Sequence, residues 1–220
     1  MITKEDFYKN HFQKPLPFAL WSKYPKGHIF QLWGENPELY AQFFNQRDDM
    51  TKFLGGHSGI DITTAHRDRV LAAHKGYIRT LNLDRKAVGG IYLRLTSENL
   101  DYKGKQILVE TDYGHLDEAV VKQNQRIEKG ELLGYEGNTG WVVTGGTPYW
   151  GNAPAGKGVH LHFGLREFVL DGQITNFAVI NPLGNTIDPL PYLTGDWAGT
   201  LGLLENAKRL LFYWLKKIGG

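Results

Sequence analysis

The sequence predicts a mainly β, antiparallel domain with an arm before it and a helix after it. Three observations carry that prediction. From residue 55 onward, short runs rich in β-branched and aromatic residues ("GIDIT", "RVLAA", "GYIRTLNL", "GGIYLRL", "KQILVET") are separated by Gly, Asn, Asp or Lys, the texture of strands joined by turns. The chain holds 27 glycines, which favour a turn-rich sheet over a helical bundle. The stretch "VHLHFGLRE", residues 159–167, alternates: Val159, Leu161, Phe163 and Leu165 take every second place. In a strand these share one face, and His160 and His162 share the other.

In chain order, residues 1–25 read as an extended arm packed on the domain, with Pro15, Pro17 and Pro25. "NPELYAQFFNQ", residues 36–46, reads as a short helix started by Asn36 with Pro37 at its first position. The strand series follows. Residues 124–140 read as strand, Lys-Gly turn, strand and loop, and residues 144–158 as a Gly/Pro-rich loop with Tyr149 and Trp150 at its middle. "DPLPYL", residues 188–193, closes the domain that begins near residue 26. In residues 194–220, Leu203, Leu204, Ala207, Leu210, Leu211, Trp214 and Leu215 fall at helical spacing. That amphipathic helix packs on its own domain or docks on a partner or a membrane surface.

Composition narrows the classes. With 220 residues, 41% of them hydrophobic, the chain can bury a full core in one domain. A net charge of +2 is too mild to indicate nucleic acid and does not repel an anionic polymer. There is no cysteine, so a metal must be held by His, Asp or Glu. No apolar run approaches the roughly 20 residues of a membrane span, and residues 1–17 do not read as a signal peptide.

The chemistry-bearing residues lie in separate places. In "GGHSGIDI", residues 55–62, His57 and Asp61 stand four apart, on one side in either extended or helical geometry. Together with one of His160 or His162 they would form a site of three protein ligands with a fourth position open, the arrangement of catalytic zinc. The remaining histidine would then stand beside it, where proton transfer is needed. Asp112 and Asp117 flank His115, and either one of them orients its ring or both are simple exposed charges.

Four quoted segments taken together, "HSGIDI", "YGHLDEAVVKQNQRIEKGELLGYEGNTG", "HLHFGLRE" and "IDPLPYL", resemble the lysostaphin or LytM-type zinc peptidases of cell-wall peptidoglycan, in the same order over residues 26–193. The resemblance implies their grooved antiparallel sheet, a fold related to the duplicated hybrid motif. It implies one zinc ion per chain, with His57, Asp61 and His162 as ligands and with His160 and His115 as catalytic histidines. It also implies hydrolysis of peptide cross-links in peptidoglycan, and action at the wall or periplasm. This chain departs from the family's pattern in its long segment between Gly140 and His160, where Tyr149 and Trp150 either wall the cleft and touch substrate or pack over the site. It departs again in Gly164, which stands where an acidic residue usually follows the H-L-H-F. Tyr40, the nearest tyrosine before His57, receives no role. Two other readings share the scaffold: a wall-binding or regulatory module without catalysis, and a structural component of a phage particle or secretion apparatus.

Overall fold

The structure is a computed structural model that describes residues 1–16, 29–44, 56–63, 65–172, 174–178 and 185–193. The expected C-terminal helix lies outside these residues. Two α-helices and thirteen strands organise the described chain, besides a π-helical turn at Phe7–His11 and a 3-10 turn at Leu190–Tyr192: α1 (Lys4–Asp6), α2 (Pro37–Phe44), β1 (Ile29–Gln31), β2 (Ile60–Thr63), β3 (Arg69–Leu71), β4 (Gly76–Asn82), β5 (Ile91–Thr96), β6 (Leu100–Tyr102), β7 (Lys105–Ala119), β8 (Arg126–Ile127), β9 (Leu132–Glu136), β10 (Trp141–Thr144), β11 (Thr147–Trp150), β12 (His160–Asp171) and β13 (Ile174–Phe177). No helix among the described residues is long and apolar enough to cross a membrane.

Eleven strands form one sheet whose main path runs β1-β2-β12-β7-β5-β4-β8. The ladders of β2, β12, β7 and β5 are antiparallel throughout. The period of two then sorts the side chains. Ile60 and Ile62, Leu161, Phe163 and Leu165, Tyr113, and Leu93 and Leu95 are completely buried on the core face. Asp61, His162, Asp112 and Arg94 alternate with them on the other face. Fully burying an aliphatic or aromatic side chain contributes about 1.5–3 kcal/mol, so the apolar set fixes the register. The register in turn fixes which polar residues meet.

The N-terminal segment differs from the expected extended arm. Thr3 caps α1 by accepting from the Asp6 backbone N–H at 3.1 Å, and the chain continues as a π-helical turn, Phe7–His11. The local reason is the Thr-Lys-Glu-Asp start, a cap followed by acidic residues in the first turn, with the first proline only at position 15. Packing on the domain holds: Phe7, Tyr8, Phe12 and Leu16 are buried in the common core. The Tyr8 hydroxyl donates to Glu167 at 2.8 Å, and Lys4 reaches the same carboxylate at 2.6 Å.

The helix at Pro37 forms as expected, entered through Asn36 at φ 56°. The segment 144–158 is not all loop. Its first part is the hairpin β10–β11, turned at Gly145 and Gly146, which have φ 57° and 77°. Two consecutive residues at positive φ are what a tight hairpin turn requires, and this Gly-Gly pair was the readable signal. Lys103 and Gly104 turn β6 into β7 in the same way, at φ 53° and 78°.

Candidate metal centre and groove

Strand register brings the separated motifs together. His162 on β12 pairs with Asp61 on β2 on one side and with Gly114 on β7 on the other. His57 precedes β2 and reaches the same point. Its Nε2 lies 2.9 Å from His162 Nδ1 and 3.0 Å from Asp61 Oδ1, and those two atoms are 3.1 Å apart. Gly59 makes room for this: a Cβ there would lie 2.9 Å from the His162 ring and 2.5 Å from the Phe163 carbonyl oxygen.

The protons do not suffice for this triangle. His57 Nδ1 lies 3.2 Å from the Leu32 carbonyl oxygen, which can only accept, so in the neutral ring that nitrogen carries the hydrogen and Nε2 is bare. The carboxylate has no proton to offer. At most one hydrogen, on His162 Nδ1, is left among three atoms that face one another with lone pairs. Such a donor set fits a cation. A tetrahedral ion with bonds of about 2.0–2.2 Å spaces its ligands about 3.3–3.6 Å apart, a few tenths of an ångström wider than the triangle. His57 and Asp61 are buried and His162 is nearly so. Burial works against charge on Asp61, and only positive charge beside it, such as protonated His57 and His160, pulls its carboxyl well below the usual range.

Two further histidines flank the triangle. His160 begins β12 on the same face as His162, and its Nε2 is 3.7 Å from Asp61 Oδ2. His115 is carried by an irregularity in β7: two steps along β5, from Ile91 to Leu93, match three along β7, from Leu116 to Tyr113. Its φ is 62°, and its backbone N–H donates to Gly89 at 2.8 Å. An extra residue of this kind re-aims a side chain, and the His115 and His160 rings stand 4.5 Å apart. His115 Nδ1 lies 2.8 Å from the Thr139 carbonyl oxygen and His160 Nδ1 lies 2.8 Å from that of Gly158. Each neutral ring therefore carries its hydrogen on Nδ1 and keeps Nε2 bare. Burial, and then the neighbouring His160 and His162, hold the His115 pKa well below the ordinary histidine value.

The expectation that an aspartate orients His115 is corrected, because the Thr139 carbonyl occupies that place. Asp112 turns to Arg94 and Arg166. Asp117 turns outward to Arg67 at 2.7 Å and Arg85 at 3.3 Å. The bulge at His115 separates both aspartates from its ring.

A groove of about 450 Å³ opens over the triangle. Its aromatic walls are Tyr40 and Trp141, whose rings are 5.7 Å apart, with Tyr40 also stacked 5.8 Å from His57. Tyr149 and Trp150 do not line it. The hairpin register sets Trp150 opposite Trp141 at 6.1 Å between rings, behind the wall. Phe30 meets His160 edge-on at 5.5 Å and remains 47% exposed, an apolar contact at the mouth. Sequence reasoning missed Tyr40, Trp141, Phe30 and Arg94. The aromatics arrive on separate elements, and no local spacing links them to the histidines.

A groove floored by antiparallel strands thus brings two histidines and an aspartate that could hold a metal ion to one point, with two more histidines beside them. Residues 55–182 match the profile of peptidase family M23, and the chain belongs to that family of zinc-dependent metallopeptidases. A protein of Haemophilus influenzae described as an uncharacterized metalloprotease is 26% identical over 132 residues, which cover 60% of this chain and 22% of that relative. This chain thus aligns with about a fifth of its length. Among solved structures, the catalytic domain of lysostaphin from Staphylococcus simulans is similar at 21% identity and a TM-score of 0.43, over 70% of this chain and 98% of that one. A zinc-containing peptidase from Vibrio cholerae is similar at 19% identity and a TM-score of 0.48, over 85% of this chain and 40% of that one.

Proposed function

We propose that this chain is a zinc endopeptidase that cuts peptide cross-links of bacterial peptidoglycan and acts at the cell wall. The observation that carries the reading is the triangle of His57 Nε2, Asp61 Oδ1 and His162 Nδ1, three lone-pair atoms 2.9–3.1 Å apart with too few protons to satisfy one another. These residues would hold the zinc. When bound, zinc supplies a Lewis acid for the scissile carbonyl and lowers the pKa of water to about 7.

The remaining steps belong to the protein's own groups. His160 and His115 each present a bare Nε2 towards the groove. One of them accepts the proton of the attacking water at Nε2 and returns it to the nitrogen of the leaving amine. The other, once protonated at Nε2, donates to the developing oxyanion. The Thr139 and Gly158 carbonyls keep both rings in the tautomer this needs. Tyr40 and Trp141 wall the groove and restrict water. A wall-binding or regulatory module would have no use for two further histidines with fixed tautomers beside a complete ligand set.

The test pairs elemental analysis with digestion of purified cell walls, for the wild type and for His162→Ala. Expected are about one zinc per chain and soluble peptide release in the wild type. In the variant zinc should be lost and release should fall at least about a thousandfold. Walls left intact by fully zinc-loaded protein would overturn the assignment of substrate.

A further inference from the structure

One arginine in the groove has donors that its neighbours do not use. Arg94 lies on β5, opposite Asp112 on β7, which is itself opposite Gly164 on β12. Its Nε donates to Asp112 Oδ1 at 2.7 Å and lies 3.9 Å from Glu110. Among the described residues its two terminal nitrogens make no hydrogen bond, and its side chain is 35% exposed at the groove. The Tyr92 ring lies 5.6 Å from the guanidinium carbon. Asp112 in front and Tyr92 alongside therefore orient the guanidinium plane without occupying its outer edge.

The surrounding charge favours an anion there. Among the described residues, three arginines, Arg79, Arg94 and Arg166, meet two carboxylates, Glu110 and Asp112. Burial works against charge on Asp112, but Arg166 and Arg94 keep its carboxyl down at about 2, so it stays ionised and holds Arg94 in place. Gly164 keeps this corner open, since a Cβ there would already stand 3.3 Å from Asp112.

We infer that Arg94 is a specificity-determining residue whose free guanidinium edge binds a carboxylate of the substrate peptide, three or four residues from the bond that is cut. The spacing follows from the sheet. Arg94 lies two strands across from His162 and two residues along, about 10 Å by 7 Å, and an extended peptide advances about 3.3–3.6 Å per residue. The inference rests on the endopeptidase reading and adds the chemical class of substrate to it. In cross-linked stem peptides the carboxylate has two sources, the α-carboxylate of a γ-linked glutamyl residue and the carboxylate of a diamino acid.

The test uses four cross-linked peptide dimers on the zinc-loaded protein: both carboxylates free, each one amidated in turn, and both amidated. The wild type should prefer the free acid at one position by about ten- to a hundredfold in kcat/KM, the worth of a charge-assisted pair. The position at which amidation is costly identifies the source. In Arg94→Gln the ratio of free to amidated should fall towards one. In Arg94→Lys, which keeps the charge and loses the fork, it should be intermediate, and this variant serves if the glutamine form does not fold. No preference in the wild type, or an undiminished preference in the variants, overturns the inference. If the wild type cleaves none of the four, the endopeptidase reading fails separately. Calorimetric binding of the same peptides then decides on Arg94 by the same ratio.

Discussion

Two polar clusters sit side by side on the groove floor, and they solve the same problem in opposite ways. Each has an aspartate on the sheet's polar face, Asp61 in one and Asp112 in the other, and burial works against charge on both. Asp112 is surrounded by cations that the chain itself provides, Arg94 and Arg166. Asp61 is surrounded by imidazoles whose available atoms are themselves lone pairs. A buried charge must be compensated, so the first cluster is complete as folded and the second is complete only with a cation. That difference, and not the bare count of histidines, marks which cluster could hold a metal.

The comparison can be broken in three places. His160→Ala and His115→Ala should each lower wall cleavage by about a hundred- to ten-thousandfold, the usual share of acid–base groups, with the zinc content unchanged. Loss of zinc in either variant would show that the ligand set extends beyond the triangle. Next in size, Asp112→Ala should destabilise the fold by about 1–3 kcal/mol, because Arg166 and Arg94 both lose the carboxylate between them. Denaturant midpoints measure this, and zinc content should again be retained. A stable Asp112→Ala protein that binds no zinc would erase the distinction between the clusters.

The last effect sharpens the comparison with a third kind of buried polarity. His74 sits between Phe7 and Phe12, with Nδ1 2.9 Å from the Lys75 carbonyl oxygen and Nε2 3.1 Å from the Thr111 hydroxyl. Burial pushes its pKa down to about 4, from an ordinary value of 6.5. The unfolded chain therefore takes up this proton first as the pH falls. Stability from His74 is present above the ordinary value and is lost between pH 6.5 and 4, by up to about 3 kcal/mol. Unfolding titrations at pH 7 and pH 4 should show this loss, and His74→Gln should lack that part of it.

Much of the fold was legible because its signals are local. The alternation of residues 159–167 placed His160 and His162 on one face, and the Asn36-Pro37 start placed α2. The pairing of His57 with Asp61 needed only a spacing of four. What escaped depends on which strands become neighbours. Nothing near His115 in the chain points to the Thr139 carbonyl as its partner, and the adjacent aspartates were the natural local candidates. Arg94 reads as an ordinary exposed charge on a strand until β5 is set against β7 with Asp112 opposite. Tyr149 and Trp150 were the readable candidates for walling the cleft or packing over it, but only the β10–β11 register sets Trp150 against Trp141, the residue that lines the groove.

The sheet order has a consequence for when the site comes into being. Asp61 and His162 are 101 residues apart along the chain, yet they sit opposite each other on adjacent strands. As the chain emerges from a ribosome, its first hundred and fifty residues contain two of the three triangle atoms and no means of aligning them. Closing so long a segment has to be repaid by the whole β2-β12-β7 ladder. The site is therefore among the last parts of the molecule to form and exists only in a chain that has completed its sheet. A chain broken off before β12 would lack the third corner of the triangle and one of the two histidines beside it.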